Sequence, residues 1–381
     1  MKDVTLKEPS RTALQIHADA LVADLHSDVP MRMAQGVDIS RRGTSGHMDI
    51  PRLRDGGVDL QVFACWVPAG MTPSRSRDKA DQMLDAIDEQ VAANRDDIAI
   101  CRTAGEAEQI IGEGRIAVFV GIENGEAIAS RLENLQRFYD RGVRYMTLTH
   151  TESSDWCISS ADTAPAFGGL TDFGRDVVRT MNALGMIVDV SHISVSAFDE
   201  VLKTATDPVI ASHSCVHALC DHNRNLTDDQ IKAIAANGGM IGINFFPVFL
   251  SQKFRDLAYS RIAEHQAEID AIKLRYKDDA ETRENAFYDL YGSILRQLPV
   301  GDVNVGTIVD HIDYIVRLTG PEYVGLGSDF DGVSVVPEGL ADCSFMPSIT
   351  SELVRRRYPE ADIKKILGAN FMRVFRQVCD R

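Results

Sequence analysis

The chain has no uninterrupted apolar run near the roughly 18 residues that a membrane-crossing helix needs. Its first twenty residues (MKDVTLKEPSRTALQIHADA) are too polar for a secretory leader. A cytoplasmic protein without a membrane partner is the expectation. A basic excess is also missing, since 40 Lys and Arg stand against 56 Asp and Glu, a formal charge of −16. Nucleic acid and anionic lipid surfaces attract cations, so both are disfavoured as partners. The seven cysteines contain no C-x-x-C pair and are odd in number, which argues against a disulfide framework or a cysteine zinc site. They read as small buried hydrophobes. With no repeat or low-complexity tract either, a small-molecule partner fits best.

With 44% hydrophobic and 25% charged residues, the composition is that of a globular protein with a large core. Eight short apolar runs recur along the chain: Leu21 to Leu25, Leu60 to Trp66, Ile116 to Ile122, Tyr145 to Thr149, Met186 to Ser191, Pro208 to Ser212, Met240 to Phe246 and Tyr323 to Gly327. Continuous apolarity marks parallel strands covered on both faces. Amphipathic helical patterns lie between them, at Asp78 to Ala93, Glu133 to Arg141, Thr171 to Leu184, Asp228 to Ala236 and Asp302 to Leu318. Thr227 with Gln230 matches a capping box, and Gly320-Pro321 supplies a stop signal. The alternation predicts one eight-stranded (β/α) barrel over 1–381, because insertions carry that fold from about 200 to above 400 residues. The highly charged stretch 251–298 reads as a helical insertion between the seventh and eighth strands, a solvated cap without chemistry. Residues 351–381 read as helices packed outside the barrel.

Active sites of this fold are built at the C-terminal ends of the strands. Those ends carry His26 and Asp28, Glu123, His150, His192, His213 and Asp329. Residues i and i+2 of a strand share a side, so His26 and Asp28 can reach one cation. Taken alone, H-x-D is more often structural. Joined by a carboxylate and further histidines at the same rim it becomes a metal site, because imidazole and carboxylate suit zinc. The donors exceed what one four-coordinate zinc with an open position can use, which favours two metals about 3.5 to 4 Å apart. Glu123 is then the natural bridge, with His26 and Asp28 on one metal and His192 and His213 on the other.

The segments LHSDVP (25–30), GIENGEAI (121–128), LTH (148–150), VDVSH (188–192), ASHS (211–214), RNLTDD (224–229) and GSDFDG (327–332) occur in this order. Together they resemble the membrane (renal-type) dipeptidases, peptidase family M19, a branch of the amidohydrolase-like metal-dependent barrels, over about residues 14 to 378. The resemblance implies two zinc ions, or other divalent cations, bridged by Glu123, and hydrolysis of dipeptides with a free C-terminal carboxylate. It also implies that His150 contacts the substrate carbonyl side, that Arg224 holds the terminal carboxylate and that Asp329 is the acid/base. A homodimer is implied as well. Arg224 would not stand out from the sequence alone, where a loop arginine reads as a solvated surface charge.

Two departures are visible. Ser27 stands where many relatives have Asn, and it should point away from the metals. The stretch NFFPVF (244–249) lacks the tyrosine found there in the mammalian enzymes, so Phe246 and Phe249 leave the substrate range open. Another amidohydrolase-type metal enzyme, such as a lactonase, deacetylase or phosphotriesterase, is disfavoured by the Glu123 bridge and by the lack of a lysine at the fourth strand end. A non-catalytic metal-binding barrel would need neither Asp329 nor His150. His17, His47, His217, His222, His265 and His311 read as surface or packing residues, and Asp331 as a turn residue before Gly332.

Overall fold

The computed structural model describes residues 9–380. The expectations for the first twenty residues and for the ends of a 1–381 domain fall partly outside the described residues. Nine strands are present among the described residues: β1 (Ala23–Asp24), β2 (Leu60–Trp66), β3 (Ile98–Ile100), β4 (Ile116–Glu123), β5 (Val143–Thr147), β6 (Ile187–Asp189), β7 (Ile210–Ser214), β8 (Met240–Ile243) and β9 (Val324–Leu326). Every pairing between these strands is parallel. β1 joins β9 to β2, and β2 pairs directly with β4 through seven registered residues from Leu60↔Ala117 to Trp66↔Glu123. A ring of eight therefore closes, and helices surround it as a (β/α)8 barrel. The strand missed in the sequence, β3, lies outside the ring and, among the described residues, pairs only with the start of β4. Its Ile-Ala-Ile is too short to register as a separate apolar run.

Within the continuously apolar strands, alternate residues part to the two faces, as the two-residue period of a strand requires. Leu60, Val62, Ala117, Phe119, Tyr145, Ile187, Ile210 and Met240 form one apolar cluster inside the barrel. Phe63, Cys65, Val118, Val120 and Ile122 join the larger cluster beneath the helices. The C-terminal helix Asn370–Cys379 belongs to the inner cluster. Phe371 and Phe375 meet Phe119 edge-on, with ring centroids 5.3 and 4.8 Å apart. Of the residues 351–381, expected to pack outside the barrel, the last helix closes the barrel's floor. Its apolar face resembles that of any surface-packed amphipathic helix, so the sequence did not reveal which surface it covers.

The predicted helices are present as Pro73–Ala93, Leu132–Asp140, Asp172–Leu184, Asp228–Ala236 and Val305–Thr319. The Thr227–Gln230 capping box forms, and Gly320 ends the helix Val305–Thr319. Between β8 and β9 the chain adds the helices Gln252–Glu264, Gln266–Arg275 and Ala280–Leu295. None of the seven cysteines forms a disulfide and all are buried, and among the described residues no helix is long and apolar enough to cross a membrane.

Strand contact at the β7–β8 seam is close enough to require glycine. A Cβ at Gly242 would lie 2.1 Å from the Ser212 carbonyl oxygen. Gly242→Ala should therefore lower stability by about 1–3 kcal/mol through overpacking, as measured by denaturant unfolding. An unchanged midpoint would show that the seam yields freely.

Candidate metal centre

All the strand-end residues converge on one mouth of the barrel. Glu123 ends β4 and His213 lies within β7, while His26, His150, His192 and Asp329 lie just past the ends of β1, β5, β6 and β9. Asp28 immediately precedes the helix Val29–Ala34. Three of the strand exits turn through positive φ at residues other than glycine: Asn124 (84°), His192 (71°) and Asp329 (62°). Such conformations cost of order 1–3 kcal/mol each and cluster at functional sites.

Glu123 is the centre of the array. Its Oε2 lies 3.4 Å from His26 Nε2, whereas its Oε1 lies 3.0 Å from His192 Nε2, 3.2 Å from His213 Nε2 and 3.8 Å from His150 Nε2. Asp28 Oδ2 is 3.7 Å from His26 Nε2. The two nitrogens of His192 and His213 are 2.9 Å apart. Donor atoms fall within 4.8 Å of one another in three groups: His26, Glu123 and His213; Glu123, His150 and His192; His26, Asp28 and Asp329. The groups share Glu123 and His26, so the donors form one continuous array. His150 and Asp329, read from the sequence as substrate-side residues, border it directly.

Protonation divides the array: against burial, the Glu123 carboxylate holds His26 well above the ordinary imidazole range, and burial raises Asp28 well above the ordinary carboxylate range, so each would release a proton on binding a cation. Burial pushes His192 and His213 below the ordinary imidazole range. Burial alone would raise Glu123, but His26 and His150 beside it hold it well below the ordinary carboxylate range. Neutral imidazole and ionised carboxylate are the forms that bind cations. Among the described residues, His26 Nε2 and Asp28 Oδ1 are buried without hydrogen-bond partners. Buried polar atoms left unpaired are costly, and a divalent cation among them would complete their coordination. The residues fit such an ion.

Hydrogen bonds behind the donors fix their aim. Tyr145 Oη lies 2.9 Å from His26 Nδ1. Ser212 Oγ lies 2.7 Å from His213 Nδ1 and donates at 2.6 Å to Asp189 Oδ2, which also accepts from Thr147 Oγ1 at 2.6 Å. Asn244 Nδ2 donates to Asp329 Oδ2 at 2.8 Å, and Asn244 Oδ1 accepts from the Phe246 amide at 2.7 Å. Sequence reading missed Tyr145, Asp189 and Asn244. The available signal was a carboxylate or amide inside an otherwise apolar strand, a position that demands partners. Ser27 is turned to the backbone, where its Oγ accepts from the Val29 amide.

Arg224 is 7% exposed and does not behave as a solvated surface charge. It donates to the His213 carbonyl at 3.0 Å, and its Nε has no hydrogen-bond partner among the described residues. His222 holds this loop. Its Nδ1 accepts from the Arg224 amide at 3.0 Å and its Nε2 lies 2.7 Å from Tyr259 Oη. Burial, aided by Arg224, pushes the His222 imidazole down to about 3, so it is neutral and donates from Nε2 to the tyrosine. His17 and His311 are buried packing residues with both ring nitrogens hydrogen-bonded. His217 and His265 pair with Asp221 and Glu268 nearer the surface. Asp331 takes a turn conformation, with φ 67°, and its Oδ1 accepts from the His47 amide at 2.7 Å and from Arg32 at 3.3 Å.

Above the array opens a cleft of about 1090 Å³, lined on the barrel side by Asp28, Glu123, His150, His192, Arg224 and Asp329. Its far wall includes Tyr259, Phe287, Tyr288 and Tyr291. The charged segment 251–298 therefore forms part of the cleft and is not merely a solvated cap. Its composition hid this because the aromatic residues are interspersed among many charges.

The sequence model of the family described as membrane dipeptidase (peptidase family M19) matches residues 10–380. The chain belongs to this family. It is 29% identical over 378 residues to Dipeptidase 3 of Mus musculus, covering 96% of this chain and 66% of that protein's own length. The probable dipeptidase PvdM from Pseudomonas aeruginosa has a similar crystal structure, with TM-score 0.83 and 26% identity over 97% of this chain and 98% of that one. A metallo peptidase from Rhodobacter sphaeroides, liganded with a phosphinate mimic of the dipeptide L-Ala-D-Ala, shares the fold. Its TM-score is 0.77 and its identity 23%, over 94% of this chain and 99% of that one.

As an M19 member the chain is expected to retain divalent metal, and outer partners typically tune that affinity by about 10–100-fold. Tyr145→Phe, which removes only the hydroxyl beside His26, should weaken retention on that scale in a chelator titration. Unaltered retention would show that the hydroxyl does not tune His26.

Proposed function

We propose that the chain is a binuclear zinc dipeptidase that cleaves the peptide bond of dipeptides with a free C-terminal carboxylate. The observation that carries this reading is the division of the Glu123 carboxylate, with Oε2 toward His26 and Oε1 toward His192 and His213. A carboxylate so placed can bridge two cations. His26 and Asp28 would hold one, and His192 and His213 the other. When bound, such a pair supplies Lewis acidity that can bring the pKa of water down to about 7.

The remaining steps belong to the chain's own residues. Asp329 receives the proton of the attacking water and returns it to the leaving amine, held for both transfers by Asn244. Burial pushes the His150 imidazole down to about 4, so it is neutral at physiological pH. Thr151 Oγ1, 3.3 Å from His150 Nδ1, can donate to it and leave Nε2–H for the oxygen that gains charge as the carbonyl is attacked. Arg224 offers a planar fork whose two parallel hydrogen bonds match a carboxylate, confining substrates to a short C-terminal reach. The substrate mimic bound by the Rhodobacter sphaeroides relative supports a dipeptide as substrate class.

A lactonase or phosphotriesterase reading finds less support, because neither substrate class brings a terminal carboxylate to a buried Arg224. Arg224→Ala should raise KM for dipeptides by about 10-fold or more, the scale of a lost charged hydrogen bond, with little change for C-terminal amides. Equal effects on both substrate types would contradict the assignment.

A further inference from the structure

Seven aromatic and cationic contacts form an unbroken arc around the cleft from Arg224 to His150. The Arg224 guanidinium lies 5.5 Å from the ring centre of Phe249. Phe249 meets Phe246 at 5.0 Å, and Phe246 meets Tyr291 at 6.4 Å. Tyr291 and Phe287 lie 5.9 Å apart, as do Phe287 and Tyr288. Tyr288 then meets Trp66 edge-on at 5.5 Å, and Trp66 meets His150 at 5.5 Å. All six carbocyclic or indole side chains line the cleft.

The aromatic side chains of the arc come from three distant parts of the chain, with Trp66 at the end of β2. Phe287, Tyr288 and Tyr291 stand on the helix Ala280–Leu295, where spacings of three and four residues place them on one face. Phe246 and Phe249 come from the exit of β8. A cleft of about 1090 Å³ lies just above the roughly 300–1,000 Å³ typical of drug-sized ligands, more than a dipeptide of two small residues would fill.

We propose that this arc is a side-chain subsite and that the enzyme selects dipeptides whose C-terminal residue is large and apolar, aromatic above all. The inference rests on the dipeptidase reading, with the terminal carboxylate at Arg224. The C-terminal side chain branches from the carbon that bears that carboxylate, so it must lie beside whatever packs against the arginine. That neighbour is Phe249, with Phe246 and Tyr291 beyond it. Aromatic side chains gain from offset and edge-on contact with such rings, whereas a charged side chain would be desolvated against them.

Zinc-loaded full-length enzyme should be assayed with Ala-Ala, Ala-Leu, Ala-Phe and Ala-Asp. The expected kcat/KM for Ala-Phe exceeds that for Ala-Ala by on the order of tenfold, the scale set by added apolar contact in a pocket, and Ala-Asp is the poorest. Tyr291→Ala should bring the Ala-Phe to Ala-Ala ratio close to one, and Tyr291→Phe should keep it. If the arc were only packing between the helix and the barrel, Tyr291→Ala would change stability and leave the ratio intact, and that result would overturn the proposal. A wild-type ratio at or below one would do so even if the variant failed to fold. Hydrolysis without an apolar preference removes this inference alone, while failure to cleave any of these dipeptides removes the dipeptidase reading with it.

Discussion

Ionisable groups at the mouth of an apolar barrel must be kept in register although most of them are withheld from solvent. His26, Asp28, Glu123, His150, His192 and His213 are all buried, and withdrawing an ion from water costs several kcal/mol even after relaxation. An array of this kind survives only if each member faces an opposite charge, a hydrogen-bond partner or a cation. The rest of the architecture meets that requirement. Eight short strands bring the donors to one rim, and two buried aspartates then fix the backbone from which several of them project.

Those two aspartates act in parallel ways. Asp24 on β1 accepts from the Ser328 amide at 2.7 Å and from Ser328 Oγ at 2.6 Å, one residue before Asp329. Asp189 on β6 accepts from the Ser212 amide at 2.9 Å and from Ser212 Oγ at 2.6 Å, one residue before His213. In each case a carboxylate of one strand clamps a serine of its neighbour and so sets the direction of the next side chain. Below them runs an aromatic column in which Phe371, Phe119, Tyr145 and His26 follow one another, with ring centroids 5.3, 5.8 and 6.5 Å apart. The C-terminal helix therefore supports the donor array from the barrel floor through direct packing. Because interiors pack as densely as organic crystals, a shift at the floor is passed to His26.

Much of the barrel and the rim was legible in the sequence because both depend on local patterns. Continuous apolar runs mark strands covered on both faces, and a polar residue at the end of such a run is conspicuous, as with Glu123 after Ile116–Ile122. What stayed hidden depends on contacts between distant segments. Arg224 sits in an ordinary-looking loop, and only its packing between His213 and Phe249 sets it apart. Tyr145 reads as one more apolar strand residue until its hydroxyl is seen beside His26. The helix Ala280–Leu295 has a charged composition that conceals Phe287, Tyr288 and Tyr291 on one face, and the short β3 has no long-range signal at all. In each case local composition resembles that of unremarkable segments, and only the fold assigns the surface on which the residue acts.

The central claim is that the Glu123 carboxylate divides two cations between His26 with Asp28 and His192 with His213. Anomalous diffraction from zinc-soaked crystals tests it most directly. The account predicts two zinc peaks about 3.5 to 4 Å apart, one on either side of the Glu123 carboxylate and within bonding distance of it. A single peak, or a pair of peaks neither of which touches Glu123, would contradict it.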